Sequence, residues 1–148
     1  MRMTKDLMRV DTIIAPVAVG TTGTGQVGRV VDRRKTVGGV VTNYRGVNLI
    51  AGYGAITSTA AIFTAVVKEG DATGAMTSVA DADMIGTEAD LGLGAAVRTD
   101  FTGDKVYKRI SYKGTKRYVS VNISSTATAG AIVGCVAEFT DPDQAPTP

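Results

Sequence analysis

A chain of 148 residues, with 18 glycines, 5% aromatic residues and a net charge of +2, is long enough to bury one core without covalent staples. It has no histidine and a single cysteine, Cys135, which removes the commonest general base, any thiolate metal site within the chain and any internal disulfide. Abundant Gly, Thr, Val and Ala beside sparse helix formers point to short strands joined by many turns.

Residues 1–9 mix apolar and charged side chains and support one helical turn at most. Residues 11–19 read as an extended segment whose Pro16 cannot donate to a ladder, so its place is at a sheet edge. The following Gly- and Thr-rich residues 20–28 carry too little apolar surface to pack a core. Residues 1–40 are therefore expected to form an extended N-terminal arm with one edge-like strand. Ordering such an arm costs about 1–2 kcal/mol per residue in backbone entropy, which binding to a neighbouring subunit, or else packing on the chain's own domain, has to offset.

Beyond the arm the strand signals become regular. Residues 37–43, 47–56 and 60–68 are candidate strands, punctuated by Gly38, Gly39, Gly46, Gly52 and Gly54. Residues 69–74 form a loop, and 76–79 a short strand. Residues 80–94 make a polar connection with apolar anchors at Met84, Ile85, Leu91 and Leu93. A short strand at 95–98 precedes residues 106–123, where two β-branched and aromatic runs meet at Lys113-Gly114 as in a hairpin. With the turn there, Ile110 lies opposite Arg117, Lys108 opposite Val119 and Val106 opposite Val121. One hairpin face then holds Val106, Ile110, Val119, Val121 and Ile123; the other holds Tyr107, Arg109, Tyr118 and Ser120. Residues 131–139 make the last strand, and the Pro-rich tail 140–148 is expected to lie extended over a surface. The fold class is all-β: a β-sandwich or jelly-roll-like domain over residues 41–139, flanked by the arm and the tail.

Charge is uneven along the chain. Residues 1–47 carry eight basic and three acidic side chains, residues 48–104 two and eight, and residues 105–148 six and three. Segregation of this kind can bring copies of one chain together, acidic belt to basic end.

Motifs for chemistry are weak. Residues 23–28 match the Gly-x-Gly-x-x-Gly string of dinucleotide folds, but no strand-then-helix context surrounds them, and position 48 is Asn where an acid belongs. Asp81, Asp83, Glu88 and Asp90 lie close together, yet their spacing departs from a calcium loop and suits a solvated turn. No cofactor or metal is expected, and no enzymatic activity. No apolar run approaches the roughly 20 residues of a membrane span, and no signal segment is apparent, so a soluble product of the cytoplasm is expected. Tyr107, Arg109, Arg117 and Tyr118 on the hairpin, with Arg29, Arg33, Arg34 and Lys35 on the arm, are the candidate protein-interface residues, since Tyr and Arg are enriched at such surfaces. Nucleic acid is the less favoured partner, because the overall charge leaves only a small electrostatic footprint.

Three stretches carry a resemblance. The loop over residues 79–90 (VADADMIGTEAD), the run over residues 110–119 (ISYKGTKRYV) and the closing residues 141–146 (DPDQAP) resemble a group of small head-associated proteins of tailed bacteriophages and prophages. The resemblance spans roughly residues 47–146 and implies a virion protein on the capsid exterior that decorates or cements the shell. Its implied partners are the major capsid protein and sister copies, with a trimer favoured. Asp141 and Asp143 stand where that group often has histidines. A neck, tail or carbohydrate-binding virion module is the alternative reading, and a nucleic-acid-binding β protein a third.

Overall fold

The computed structural model describes residues 8–18, 26–37, 39–56, 58, 60–94, 106–126 and 132–143. Two antiparallel sheets pack face to face as a β-sandwich. The larger sheet runs in the order β1 (Arg9–Ala18), β11 (Ile132–Pro142), β5 (Val40–Tyr53), β9 (Val106–Tyr112) and β8 (Met84–Ile85), with β4 (Arg34–Val37) paired to the first residues of β5. The smaller sheet runs β2 (Gln26–Val27), β10 (Tyr118–Ser125), β6 (Phe63–Gly70) and β7 (Thr77–Ser78), with β3 (Val31–Asp32) also on β10. A short α-helix, α1 (Glu88–Leu91), starts with a capping box between Thr87 and Asp90.

The period-two alternation of the strands sets the layers. Val47, Leu49, Ala51 and Tyr53 of β5 point inward beside Val133, Cys135, Ala137 and Phe139 of β11. Across the core they meet Val119, Val121 and Ile123 of β10 and Phe63, Ala65 and Val67 of β6. Each large side chain buried here contributes about 1.5–3 kcal/mol, so this shared core is what holds the two sheets together.

The expected hairpin is not a hairpin. β9 pairs with β5 and β8, whereas β10 pairs with β6, β2 and β3, so the chain between them arches from one sheet to the other. Ile110, Val119, Val121 and Ile123 still point into the core, with Val106 partly buried against it, but they face one another across the interior instead of lying side by side. Gly114 explains the misreading. A tight hairpin needs a positive φ, and among the described glycines that conformation belongs to Gly39 (+82°) and Gly86 (+92°). Gly114 is small for another reason: a Cβ there would stand 2.5 Å from the Tyr112 hydroxyl oxygen. The tight reversal is at Gly39, where Val37 pairs with Val40.

The arm expectation also fails over its described part. Residues 9–18, paired along β11, put Ile13 and Ile14 in the core, and residues 26–37 supply β2, β3 and β4. Gly28 lies so close to the Val121 carbonyl and Ile13 that a side chain would collide with both, so the Gly-rich string serves packing at its last position. β1 is an edge strand, as Pro16 requires, and it carries two register irregularities, between Thr12 and Ile14 and between Ile14 and Val17. The two candidate strands at 37–43 and 47–56 merge into the single β5. The proposed turn at 1–9 falls mostly, and the strand at 95–98 wholly, outside the described residues; of the tail, residues 140–142 extend β11 and 144–148 lie outside the description.

Candidate functional site

The outer face of the six-stranded sheet carries side chains that the core does not use. The registers arrange it in rows across the strands. One row reads Val10, Glu138, Asn48, Ser111 and Ile85 from β1 to β8. Its centre is a polar ladder: Ser111 Oγ donates to Asn48 Oδ1 at 2.7 Å, and Asn48 Nδ2 donates to Glu138 Oε2 at 2.8 Å. The next row holds Thr12, Val136, Ile50 and Arg109, and the one beyond it Gly134, Gly52 and Tyr107.

The two glycines form a floor. A Cβ on Gly52 would come within 2.9 Å of the Tyr107 ring, and one on Gly134 within 3.5 Å of Pro16; the missing side chains let Tyr107 and Pro16 close in over the sheet. The result is an apolar groove of about 650 Å³, lined by Ile14, Pro16, Ile50, Tyr107, Ile132 and Val136 among others. Tyr107 is 81% exposed and Ile132 54%. Cys135 lies behind this floor, where burial pushes its thiol pKa up to about 12, so it is an inert core residue in ordinary conditions.

The predicted contact residues are divided among several places. Tyr107 and Arg109 share the outer face at the groove. Tyr118 does not join them, because β10 belongs to the other sheet. The Arg117 guanidinium lies 4.9 Å from the centre of the Tyr118 ring and pairs with Asp32 at 2.7 Å. Arg29 is exposed and donates through Nε to the Thr12 carbonyl, Arg34 donates through Nε to Asn43 Oδ1, and Lys35 is exposed.

Arg33 is a correction. It is 9% exposed, and its guanidinium donates to four carbonyls: Tyr44 through Nε at 2.9 Å, Gly114 and Lys116 through Nη1 at 2.7 and 2.8 Å, and Arg45 through Nη2 at 2.7 Å. The Tyr112 ring lies 5.3 Å away, and the Tyr112 hydroxyl donates to Glu69 while accepting from the Lys116 backbone. Burial lowers the Arg33 pKa; burial and the Glu69 bond raise that of Tyr112. This arginine ties the arch to Tyr44 and Arg45 of β5 and is not available to a partner.

The acidic loop is likewise committed in part. Glu88 accepts from the Val67 backbone at 2.6 Å, and Asp90 accepts from both the backbone and the hydroxyl of Thr87. Sequence reasoning missed Ile50, Ile132, Val136 and the two floor glycines. The signal was present: residues 49–53 and 132–137 are apolar or glycine at every position, a pattern that leaves both faces of a strand without charge.

No protein-family model matches the chain, and no curated protein does. Among solved structures it is similar to the N-terminal endo-1,4-β-D-xylanase 10B of Clostridium thermocellum, in a structure of its CBM22-1 and GH10 modules with xylohexaose. The identity is 13% and the TM-score 0.40, covering 94% of this chain and 27% of that one. The chain thus spans about a quarter of that structure's length, and a likeness this distant bears on neither ligand nor activity. No helix among the described residues is long and apolar enough to cross a membrane.

Proposed function

We propose that this chain is a non-catalytic structural protein of a tailed-bacteriophage particle, which decorates or cements the capsid exterior by binding the major capsid protein and sister copies. The observation that carries the reading is the groove on the outer sheet face. Contiguous apolar surface beside an exposed Tyr and Arg marks a contact site on a soluble domain. The resemblance of residues 79–90 and 110–119 to head-associated phage proteins supports the shell as the partner. In the fold those two stretches build the β8 edge and the arch, so they frame β9, which presents Tyr107 and Arg109. Repeated weak contacts suffice on a shell, because many copies bind one particle.

The test is occupancy on purified heads, read as band intensity relative to the major shell protein. Hundreds of copies per particle are not required for every virion role: about a dozen or fewer would place the chain in a neck or tail ring. Retention of wild-type occupancy by Tyr107→Ala combined with Arg109→Ala would count against this face. Surface substitutions suit this test better than truncation, since residues 1–35 supply Ile13, Ile14 and Val31 to the core.

A carbohydrate-binding module is the second reading. Tyr107 offers a ring beside a glycine floor, and the Ser111, Asn48 and Glu138 ladder offers hydrogen-bonding groups one row beyond Arg109 on the same face. Retardation in gels cast with soluble polysaccharide, abolished by Tyr107→Ala, would favour it. Nucleic acid is disfavoured by the burial of Arg33 and the pairing of Arg117, and a steep salt slope on DNA would reverse that judgement.

A further inference from the structure

We infer that the groove on the outer sheet face takes the Pro-rich tail of a second copy of this chain, residues 144–148 (QAPTP) of one molecule lying along Tyr107, Pro16 and Ile50 of the next. The inference rests on the reading of the groove as a protein contact site and deepens it by naming the segment that fills it.

The groove limits what can occupy it. Gly52 and Gly134 lower its floor, Tyr107 and Pro16 stand over it, and Ile50, Ile132 and Val136 give it apolar walls. None of the described residues that line it is charged. A sheet face, unlike a sheet edge, offers no backbone groups to pair with, so its occupant needs a backbone that does without a ladder. Polyproline II is such a backbone: it makes no internal hydrogen bonds, proline has no N–H to satisfy, and the conformation exists before binding, so little entropy is lost on docking against an aromatic-lined groove. Its carbonyls still want donors, and Thr12 and Arg109 stand in the row beside the floor.

The chain itself carries a segment of this kind. Pro142, Pro146 and Pro148, three of its four prolines, fall within residues 140–148. The root of that segment is held firmly. The Asp143 backbone donates to the Asn43 carbonyl, and the Asp143 carboxylate accepts from the backbone and from Nδ2 of Asn43, both at 2.8 Å.

Reach decides whose groove it enters. Asp143 lies level with Asn43, and the nearest groove residue on β5 is Ile50, about 23 Å further along at the rise of a strand. Residues 144–148 span at most about 18 Å when fully extended. β11 also runs away from the groove toward Asp143, so the tail would have to turn back and would still stop short. A neighbouring molecule imposes no such limit. Because root and groove lie at opposite ends of the sheet, the contact is head to tail, and its repetition closes a ring, of which a trimer is one size, or grows a filament. So short a contact is weak alone, and copies held side by side on one particle strengthen it through effective concentration.

The test adds a synthetic peptide of residues 140–148 to the isotope-labelled full chain and follows its backbone amide resonances. The amides of Gly52, Gly134 and Tyr107 are expected to shift, with a Kd at or below about 1 mM and little dependence on salt, since the contact carries little charge. A peptide with glycine in place of both Pro146 and Pro148 binds about tenfold or more weakly because it is no longer pre-organised. Tyr107→Ala in the protein costs about tenfold or more as well. In sedimentation at millimolar concentration the wild type self-associates, whereas Tyr107→Ala and the double variant Pro146→Gly with Pro148→Gly each stay monomeric. Mixing those two variants gives dimers and nothing larger, because one tail and one groove survive between them. Groove amides that stay still up to about 5 mM peptide, that shift equally with the glycine peptide, or that answer to an oligosaccharide and not to the tail, would overturn the contact. Any of these leaves the shell reading standing if Tyr107-dependent occupancy on heads persists, while occupancy indifferent to Tyr107→Ala beside an intact tail contact would sink the shell contact alone.

Discussion

Two pairings of arginine and tyrosine lie along β9, five residues apart and on opposite faces. At Tyr112 the ring is buried beside Arg33, whose guanidinium donates to four carbonyls. At Tyr107 the ring stands in solvent with Arg109 next along the same face, over a floor of glycines. The same residue types thus do opposite work. Where backbone carbonyls converge, an arginine is consumed by the fold; where the sheet face is bare, aromatic and cation remain available to a partner.

The first way to break this contrast is at the buried pair. Arg33→Ala leaves four carbonyls without their donor and is expected to destabilise by about 3–5 kcal/mol, measured as a lower urea midpoint. Arg33→Lys should recover only part of this, since an ammonium cannot reach four acceptors in a fork. A cost under about 1 kcal/mol would mean that the arch stands without Arg33.

Next in size is Gly114→Ala. The new Cβ would stand 2.5 Å from the hydroxyl oxygen of the fully buried Tyr112, and the expected loss is about 1–3 kcal/mol by overpacking. Were Gly114 a turn glycine, Asn would restore stability there; here Asn should do no better than Ala.

At the exposed pair the sign of the comparison reverses. Tyr107→Ala is expected to change stability by no more than about 0.5 kcal/mol and to weaken binding at the groove by about tenfold or more. Thermal unfolding and head occupancy measured on one preparation separate the two effects.

The smallest effect is acid sensitivity. The Arg9 hydrogen bond holds the Asp11 pKa below its usual value. At Asp32 burial works upward, but hydrogen bonds from Arg117 and the Arg34 backbone outweigh it and the pKa is lowered. Depressed folded-state values contribute stability above the unfolded carboxylate pKa of about 3.9, and that contribution is lost as pH falls through the folded values. Urea midpoints should therefore fall between about pH 4 and about pH 2, and Asp32→Asn should flatten the slope.

Much of this was legible in the residues. The alternation in 106–123 placed Ile110, Val119, Val121 and Ile123 inward correctly, because a one-residue slip would turn every one of them to solvent. Pro16 placed β1 at an edge, since it cannot donate to a ladder. The groove was half legible: Tyr107 and Arg109 stood out as exposed polar and aromatic positions, while Ile50, Ile132 and Val136 looked like ordinary core.

The sequence by itself determined the all-β class, the inward face of residues 106–123 and the uneven charge along the chain, since these follow from local period and composition. Only the tertiary structure decided which strands pair, that Lys113–Arg117 arches between sheets, and that Arg33 is spent inside the fold. Pairing depends on contacts between residues distant in the chain, and an inward apolar face is equally satisfied beside a neighbouring strand or across a core.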